Sequence, residues 1–240
     1  GGTGKTELIK YIQSMGYKGL QICALTGCAA LLLKCGARTI HSWSGIKRAN
    51  GKIRDIVYSV THSSYTKSQW KKTKILIIDE VSMMSQKIFE LLDAIGKAIK
   101  QVDKPFGGIQ VIFVGDFYQL PPVGSLDDET TSKFCFESNL WNKTFQKENQ
   151  IQLSHIFRQN DPIYKSILME IRSGNISDNS IEILNSKVSN AVVHDCTKIF
   201  PKKKDVERVN QEYYNTLDGT QSYTYNTKVS YDNDMHIENN

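Results

Sequence analysis

The first residues of the chain have the types and spacing of a phosphate-binding loop. The sequence opens GGTGKT, so Gly4, Lys5 and Thr6 match the end of a P-loop, where backbone N–H groups cradle phosphates, the lysine neutralises them and the hydroxyl binds Mg²⁺. We therefore predict nucleotide binding by Gly2, Thr3, Gly4, Lys5 and Thr6. The pattern's first glycine falls before residue 1, so we expect an inactive fragment. The alternative is an ordinary glycine turn.

Two acidic residues follow an apolar run downstream of this loop. In ILIIDE, Asp79 ends a predicted buried strand and Glu80 comes next. A carboxylate at such a position can hold Mg²⁺, and its neighbour can orient or deprotonate an attacking water. The alternative is a helix N-cap pair before VSMM, but the P-loop upstream favours the catalytic interpretation.

A third group, GDFYQLPPV, places an amide at a strand end. Gln119 lies in a short loop that Pro121 and Pro122 restrain. From there its amide can contact both a γ-phosphate and the attacking water. Turn formation alone explains the prolines but not the whole string.

These residues need a scaffold, and the hydrophobic pattern predicts one. Helix signals at 5–15 and 84–101 alternate with strand signals at 20–26, 74–80 and 107–116. Short apolar strands separated by helices are typical of an α/β parallel sheet covered by helices on both faces. Because ligands bind at the carboxyl ends of such strands, the candidate residues should meet at one edge.

The pattern restarts after Phe145, which predicts the first half of a second α/β domain. Asp161 as N-cap, Pro162 in the first turn and Gly174 as terminator mark a helix. The other predicted elements are strands at 151–159 and 196–201 and a helix at 204–217.

Composition limits the class of protein. The 240 residues are 40% hydrophobic, which suffices for a core, and a net charge of +5 permits a polyanionic partner without requiring one. The five cysteines show no paired spacing, so neither a disulfide framework nor a zinc site is predicted. The cysteines thus favour a reducing, intracellular setting. Without an apolar run of bilayer length we expect no membrane partner.

Positive charge is concentrated in one segment. Between Lys47 and Lys74 the only acid is Asp55, so the segment carries +7, whereas the whole chain carries +5. Tyr58, Tyr65 and Trp70 are interleaved with the charges, as expected of a surface that follows phosphates and stacks bases. A solvated lysine-rich loop is the alternative. The basic residues are Lys47, Arg48, Lys52, Arg54, Lys67, Lys71, Lys72 and Lys74.

Several strings together resemble the Pif-type (petite integration frequency) DNA helicases, the RecD-like branch of superfamily one. GGTGKT, ALTGCAALLL, GARTIHSWSGI, LIIDEVSMM, LSHIFRQND and IFPKKKDVERVN occur in that family's order, and KPFGGIQVIFVGDFYQLPPV looks like its own signature. The resemblance implies a RecA-like P-loop domain at 1–146, with a basic insert at 47–72 that is a wedge in related helicases. Part of a second, truncated RecA-like domain would follow at 147–240.

The resemblance also implies roles for single residues in ATP hydrolysis. Lys5 and Thr6 would bind phosphate and Mg²⁺, Asp79 the metal, and Glu80 would be the catalytic base. Gln119 would sense the γ-phosphate and couple it to movement on DNA.

A further residue, Arg158 of FRQ, would reach the nucleotide from the second domain. A positive charge there fits the negative charge that builds on the transferring phosphoryl group. The alternative for Arg158 is a surface ion pair.

DNA contacts implied by the resemblance lie in LTGCAA and TIHSWSGI. The matching positions are Thr26, Gly27, His41 and Ser42. Small residues and hydroxyls suit phosphate contacts, and Trp43 or His41 is expected to stack a base.

The function implied is that of an ATP-dependent DNA helicase, moving 5′ to 3′ on single-stranded DNA and separating forked duplex, in repair, recombination or telomere maintenance. A monomer is expected, in the nucleus, the mitochondrion or a viral replication site. Two alternatives remain: a RecD-like recombination or relaxase-associated motor, and a non-hydrolysing nucleic-acid-binding fragment.

Overall fold

The computed structural model describes residues 1–188, 196–217 and 223–226. The chain divides into two compact units, Gly1–Asn185 and Ser186–Asn240. The predicted boundary between two domains at 146/147 remains a prediction.

The first half of the chain alternates helices with three strands. The elements are α1 (Lys5–Ser14), β1 (Leu20–Ala24), α2 (Gly27–Leu32), β2 (Arg38–Thr39), α3 (Ile40–Ser44), α4 (Ile53–His62), α5 (Ser64–Lys72), β3 (Ile75–Asp79) and α6 (Gln86–Lys100).

One further strand is followed by helices alone. These elements are β4 (Gln110–Phe113), α7 (Trp141–Thr144), α8 (Pro162–Ser173), α9 (Asp178–Asn185) and α10 (Lys203–Tyr214). Short 3₁₀ turns lie at Val81–Met83, Pro105–Gly108, Glu129–Thr131, Cys135–Glu137 and Lys147–Asn149.

The strands form one parallel sheet in the order β2-β1-β3-β4. Ala24 pairs with Asp79, and Ile78 pairs with Phe113, so three strands end at one edge. This confirms the predicted parallel α/β sheet and places the ends of β1, β3 and β4 side by side.

Helices cover both faces of the sheet, as predicted. Because side chains alternate along a strand, Ile78 faces one core and Ile77 faces the other. The first core contains Trp43 and Phe89 from α3 and α6, and the second contains Ile9 from α1. The buried faces of these helices hold the sheet edge in place.

The basic insert folds as two helices, α4 and α5, that pack against α6. Trp70 is 0% exposed, its ring centroid lies 4.6 Å from that of Trp43, and its Nε1–H donates to the Ser44 carbonyl at 3.2 Å. Trp43 is also buried, at 1% exposed. The expectation that these tryptophans stack bases was therefore wrong. Burying their large apolar rings in the core is more favourable than exposing them beside the charged residues that neighbour them in sequence.

The turn PFGG enters β4 by packing closely on α6. A Cβ on Gly96 would lie 2.6 Å from the Phe106 carbonyl carbon and oxygen, and Asp93 Oδ1 accepts the Phe106 N–H at 2.8 Å. Lys97 pairs with the same carboxylate at 2.9 Å. This contact fixes where β4 starts and thus where the loop after it lies.

The region after residue 147 differs partly from its prediction. Helix α8 begins and ends as expected, because Asp161 Oδ1 accepts the N–H groups of Ile163 and Tyr164 and Gly174 adopts a φ of 76°. The strands predicted at 151–159 and 196–201 do not form. A strand needs a neighbour for its ladder, and the described residues provide segment 151–159 with a single such bond, from Phe157 N–H to the Gly2 carbonyl at 2.8 Å.

The second unit contains α10, close to the predicted helix at 204–217. Within it, the Lys198 ammonium lies 5.7 Å from the centre of the Tyr213 ring. In the parts of the chain that the structure describes, none of the helices combines the length and the apolar character that crossing a bilayer requires.

Candidate nucleotide site

The P-loop is shaped by two glycines in the left-handed region. Gly2 has a φ of 77° and Gly4 a φ of 88°, and Gly4 is the N-cap of α1. Lys5 and Thr6 are the first residues of that helix. Free N–H groups at a helix start and a positive dipole end suit an anion such as a phosphate chain.

Asp79 and Glu80 follow the buried strand β3. The Asp79 side chain Oδ1 accepts the Glu80 N–H at 2.9 Å, and Glu80 adopts a φ of 57°, which is uncommon for a residue with a side chain. Glu80 makes no side-chain capping bond to the 3₁₀ turn Val81–Met83. The helix-cap alternative therefore gains no support.

Burial dominates the electrostatics of both acids. It raises the pKa of Asp79, which is 6% exposed, against smaller lowering effects of the Glu80 N–H and Lys5. Burial also raises the pKa of Glu80, and the Asp79 charge raises it further. A carboxylate with a raised pKa is a stronger base, which suits Glu80 to take a proton.

Thr6 and Asp79 fit a magnesium ion. They supply a hydroxyl and a carboxylate oxygen, the donor type that Mg²⁺ prefers, and both line the same cavity. Among the described residues, Asp79 has no ion pair with a lysine or arginine. A buried carboxylate that no salt bridge neutralises is a favourable cation ligand.

Gln119 lies in the loop after β4 and is tied to Asp116. Its backbone N–H donates to the Asp116 carbonyl at 2.9 Å, and its side-chain Nε2 lies 3.4 Å from Asp116 Oδ2. Arg172 of α8 binds the same carboxylate through Nε at 3.1 Å and Nη2 at 2.8 Å. The hydrogen bonds from Arg172 are the largest cause that lowers the pKa of Asp116, to about 2.

Arg158 lies beside the P-loop. A Cβ on Gly2 would be 2.7 Å from the Arg158 Cβ, so this segment can approach only because residue 2 is glycine. The Arg158 side chain is exposed and forms no ion pair with a carboxylate in the described ranges. Its guanidinium is therefore available to a ligand.

One cavity of about 610 Å³ joins most of these groups. Its wall includes Thr6, Asp79, Glu80, Gln119 and Arg158, from sequence positions far apart. The geometry brings together a hydroxyl, two carboxylates, an amide and a guanidinium beside a helix N-terminus. This set can bind a polyphosphate, activate a water and stabilise negative charge on a transferring phosphoryl group.

The predicted DNA-contacting residues follow the ends of the paired strands β1 and β2, but the structure does not place them in one cavity. Thr26 lines the nucleotide cavity and caps α2 by accepting the Ala29 N–H at 3.2 Å, and Gly27 is the first residue of that helix. Ser42 is exposed in α3, whereas His41 lines a different cavity of about 620 Å³. Burial lowers the pKa of His41, which favours the neutral form of the ring.

The sequence did not single out Arg172. It lies in the last turn of α8, where a basic residue is ordinarily explained by its interaction with the helix C-terminus. No local signal pairs it with Asp116, because the two residues are 56 positions apart.

Comparisons with known proteins find relatives in one helicase family. The family profile described as "PIF1-like helicase" matches residues 1–182. The chain is similar to the ATP-dependent DNA helicase RRM3 of Saccharomyces cerevisiae, with 36% identity over 91% of this chain and 31% of that protein. It thus spans less than a third of that relative's length.

Two solved structures share the fold. The Pif1 helicase from Candida albicans superimposes with a TM-score of 0.78 and 31% identity over 91% of this chain and 50% of that one. A Pif1 helicase from Bacteroides, in complex with ADP-AlF3 and ssDNA, superimposes with a TM-score of 0.72 and 29% identity over 90% of this chain and 52% of that one. Given the profile match over most of its length and these likenesses, the chain belongs to the PIF1-like helicase family.

Proposed function

We propose that this chain carries the ATP-hydrolysing site of an ATP-dependent DNA helicase that moves 5′ to 3′ on single-stranded DNA and unwinds forked duplex. The observation that supports it best is the single cavity shared by Thr6, Asp79, Glu80, Gln119 and Arg158. The related helicase RRM3 is named as ATP-dependent, and a related structure holds ADP-AlF3 and ssDNA.

In this mechanism each residue acts at a defined place. Gly2, Thr3 and Gly4 cradle the phosphates through their backbone, and Lys5 neutralises their charge. Glu80 accepts the proton of the attacking water, which Gln119 orients. Arg158 stabilises the charge that develops on the γ-phosphoryl group. Thr6 and Asp79 would hold Mg²⁺, which when bound offsets the phosphate charge.

The coupling to DNA is proposed to run through two lobes, residues 1–146 and 147–240. Arg158, on the second of these, would draw the lobes together when ATP is present and release them after hydrolysis. The two lobes would then bind the DNA strand in turn, so that each cycle of closing and opening moves the protein along it.

The proposed strand contacts are Thr26, Gly27, His41 and Ser42. The insert at 47–72 is proposed to act near the fork. In its support, all eight basic residues between Lys47 and Lys74 are exposed, as are Tyr58 and Tyr65. We further propose that the protein acts inside the cell on its own genome's DNA, in repair, recombination or telomere maintenance.

The experiment measures ATP hydrolysis by the protein in its natural full length, with and without single-stranded DNA. We expect stimulation by DNA, and we expect Glu80→Gln to lower kcat by about 10²–10⁴-fold while strand binding remains. The matched control is Glu148→Gln, an exposed glutamate that should leave the rate unchanged. Strand binding without hydrolysis by the unaltered protein would instead establish a binding module.

A further inference from the structure

The loop that carries Gln119 is held by a residue outside the predicted site. Arg172 grips Asp116 with two hydrogen bonds, Nε to Oδ2 at 3.1 Å and Nη2 to Oδ1 at 2.8 Å. Its guanidinium also lies 4.3 Å from the centre of the Tyr118 ring. A forked pair with a stacked aromatic fixes the guanidinium in both position and plane.

Asp116 passes this restraint on to the residues that follow it. Its Oδ1 accepts the Tyr118 N–H at 3.2 Å, its carbonyl accepts the Gln119 N–H at 2.9 Å, and its Oδ2 lies 3.4 Å from Gln119 Nε2. Arg172 and the Gln119 amide therefore share one carboxylate oxygen. Moving Arg172 changes what holds Gln119.

Burial argues against a role as an ordinary surface ion pair. The Asp116 side chain is 9% exposed and that of Arg172 is 31% exposed. A partly desolvated, bidentate pair is stronger than a solvated one, since water and salt screen it less. The Arg172 side chain also leaves its own helix, so interaction with the C-terminus of α8 does not account for where it points.

Resting on the proposed function, we propose that Arg172 is a positioning residue that sets the orientation of Gln119 through Asp116. A displacement of α8 would then shift the amide that is proposed to sense the γ-phosphate. Arg172 itself is not part of the cavity wall.

The first test is a double-mutant cycle in the full-length protein. Arg172→Ala should lower kcat for DNA-stimulated hydrolysis by about ten- to a hundredfold, because a small misplacement of a positioned group is costly, and KM for ATP should change by less than about twofold. In a Gln119→Ala background the same change should have little further effect. If the two substitutions act independently, so that the double variant loses kcat by the product of the two single losses, the inference is wrong.

Lys165→Ala provides the matched control, since it removes a positive charge from the same helix. It should leave kcat unchanged. If Arg172→Ala does not fold by circular dichroism, Arg172→Lys takes its place in the cycle, because lysine keeps the charge but loses the fork. Its smaller loss should again disappear when Gln119 is absent, and a loss that persists would count against the proposal.

A second readout does not depend on hydrolysis. Hydrogen exchange at the amides of Tyr118 and Gln119 should be faster in Arg172→Ala than in the unaltered protein and in Lys165→Ala. If the unaltered protein hydrolyses no ATP, the proposed function fails, but exchange still tests whether Arg172 holds this loop. Unchanged exchange at both amides would refute the proposal that Arg172 holds this loop.

Discussion

Burial, rather than residue type, decides which aromatic side chains of the basic segment are available to DNA. Trp43 and Trp70 are buried and packed on each other, whereas Tyr58 and Tyr65 are 66% and 67% exposed. All four lie in or beside the basic segment. Only the exposed rings are available to stack on a base.

Replacement of Trp70 by alanine should therefore affect the fold. We expect a loss of about 3–5 kcal/mol in the free energy of unfolding, since a large side chain leaves a cavity in the first core. Urea unfolding followed by fluorescence measures it. Tyr65→Ala, the exposed control from the same helix, should change the free energy by less than about 0.5 kcal/mol. Equal effects of the two changes would contradict the packing shown here.

Between elements, the critical contacts are close backbone approaches and one ion pair. Gly96 lets α6 touch the turn PFGG, and Asp116 joins the loop after β4 to α8. The first contact fixes where β4 begins, and the second holds the loop that follows β4, at the edge where the sheet presents its acids.

Gly96→Ala tests the first of these contacts. Alanine favours a helix by about 1 kcal/mol over glycine, but its Cβ would meet Phe106 backbone atoms at 2.6 Å. Because a backbone yields less readily than a side chain, we expect net destabilisation of about 1–3 kcal/mol in urea unfolding. Gly27→Ala has no atom within 4 Å of the new Cβ, so as a control it should be neutral or stabilising. If Gly96→Ala instead stabilises the protein, the contact between α6 and the PFGG turn is looser than the structure shows.

The second contact predicts a dependence on pH. The folded Asp116 has a pKa of about 2, below its ordinary 3.8, so its stabilising effect is full above pH 3.8 and is lost as the pH falls through about 2. The charged side chains around it are Arg172 and Glu80.

The measurement compares unfolding free energies of the unaltered protein and Arg172→Ala. Their difference should be larger at pH 7 than near pH 2, where protonated Asp116 no longer needs the arginine. Lys203→Ala removes an exposed pair with Glu207 and should show almost no difference at either pH. A difference that stays constant across this range would rule out the ionised pair as its source.

Across the whole molecule, positive charge is unevenly distributed. The segment from Lys47 to Lys74 carries more net charge than the entire chain, and the structure exposes all of its basic side chains on or beside α4 and α5. Such a surface should contribute to the salt dependence of DNA binding through release of counterions.

Replacing Lys67, Lys71 and Lys72 with alanine tests this surface. The slope of log K against log salt for single-stranded DNA should become shallower by about 2, since each contacted phosphate contributes about 0.7. Lys202, Lys203 and Lys204 provide a control triple with the same loss of charge. If both triples change the slope equally, binding is diffuse and the insert has no special role.

The sequence by itself determined the local chemistry and the class of sheet. GTGKT and ILIIDE specify glycines, a hydroxyl and carboxylates at strand ends, and short apolar strands alternating with helices have few stable arrangements other than a covered parallel sheet. Helix α8 was also predictable, because Asp161 and Gly174 determine its ends through local hydrogen bonds and backbone freedom.

Only the tertiary structure decided contacts between distant segments. Trp70 was expected on the surface because its sequence neighbours are charged, yet the helical period turns it inward. The segment at 151–159 looked like a strand, but an apolar run becomes a strand only if a neighbour offers a ladder. Arg172 reaches Asp116 across 56 positions, a pairing that depends on how α8 packs. Local sequence determines the chemistry and the backbone preference of a residue, whereas tertiary packing determines which distant residues it contacts.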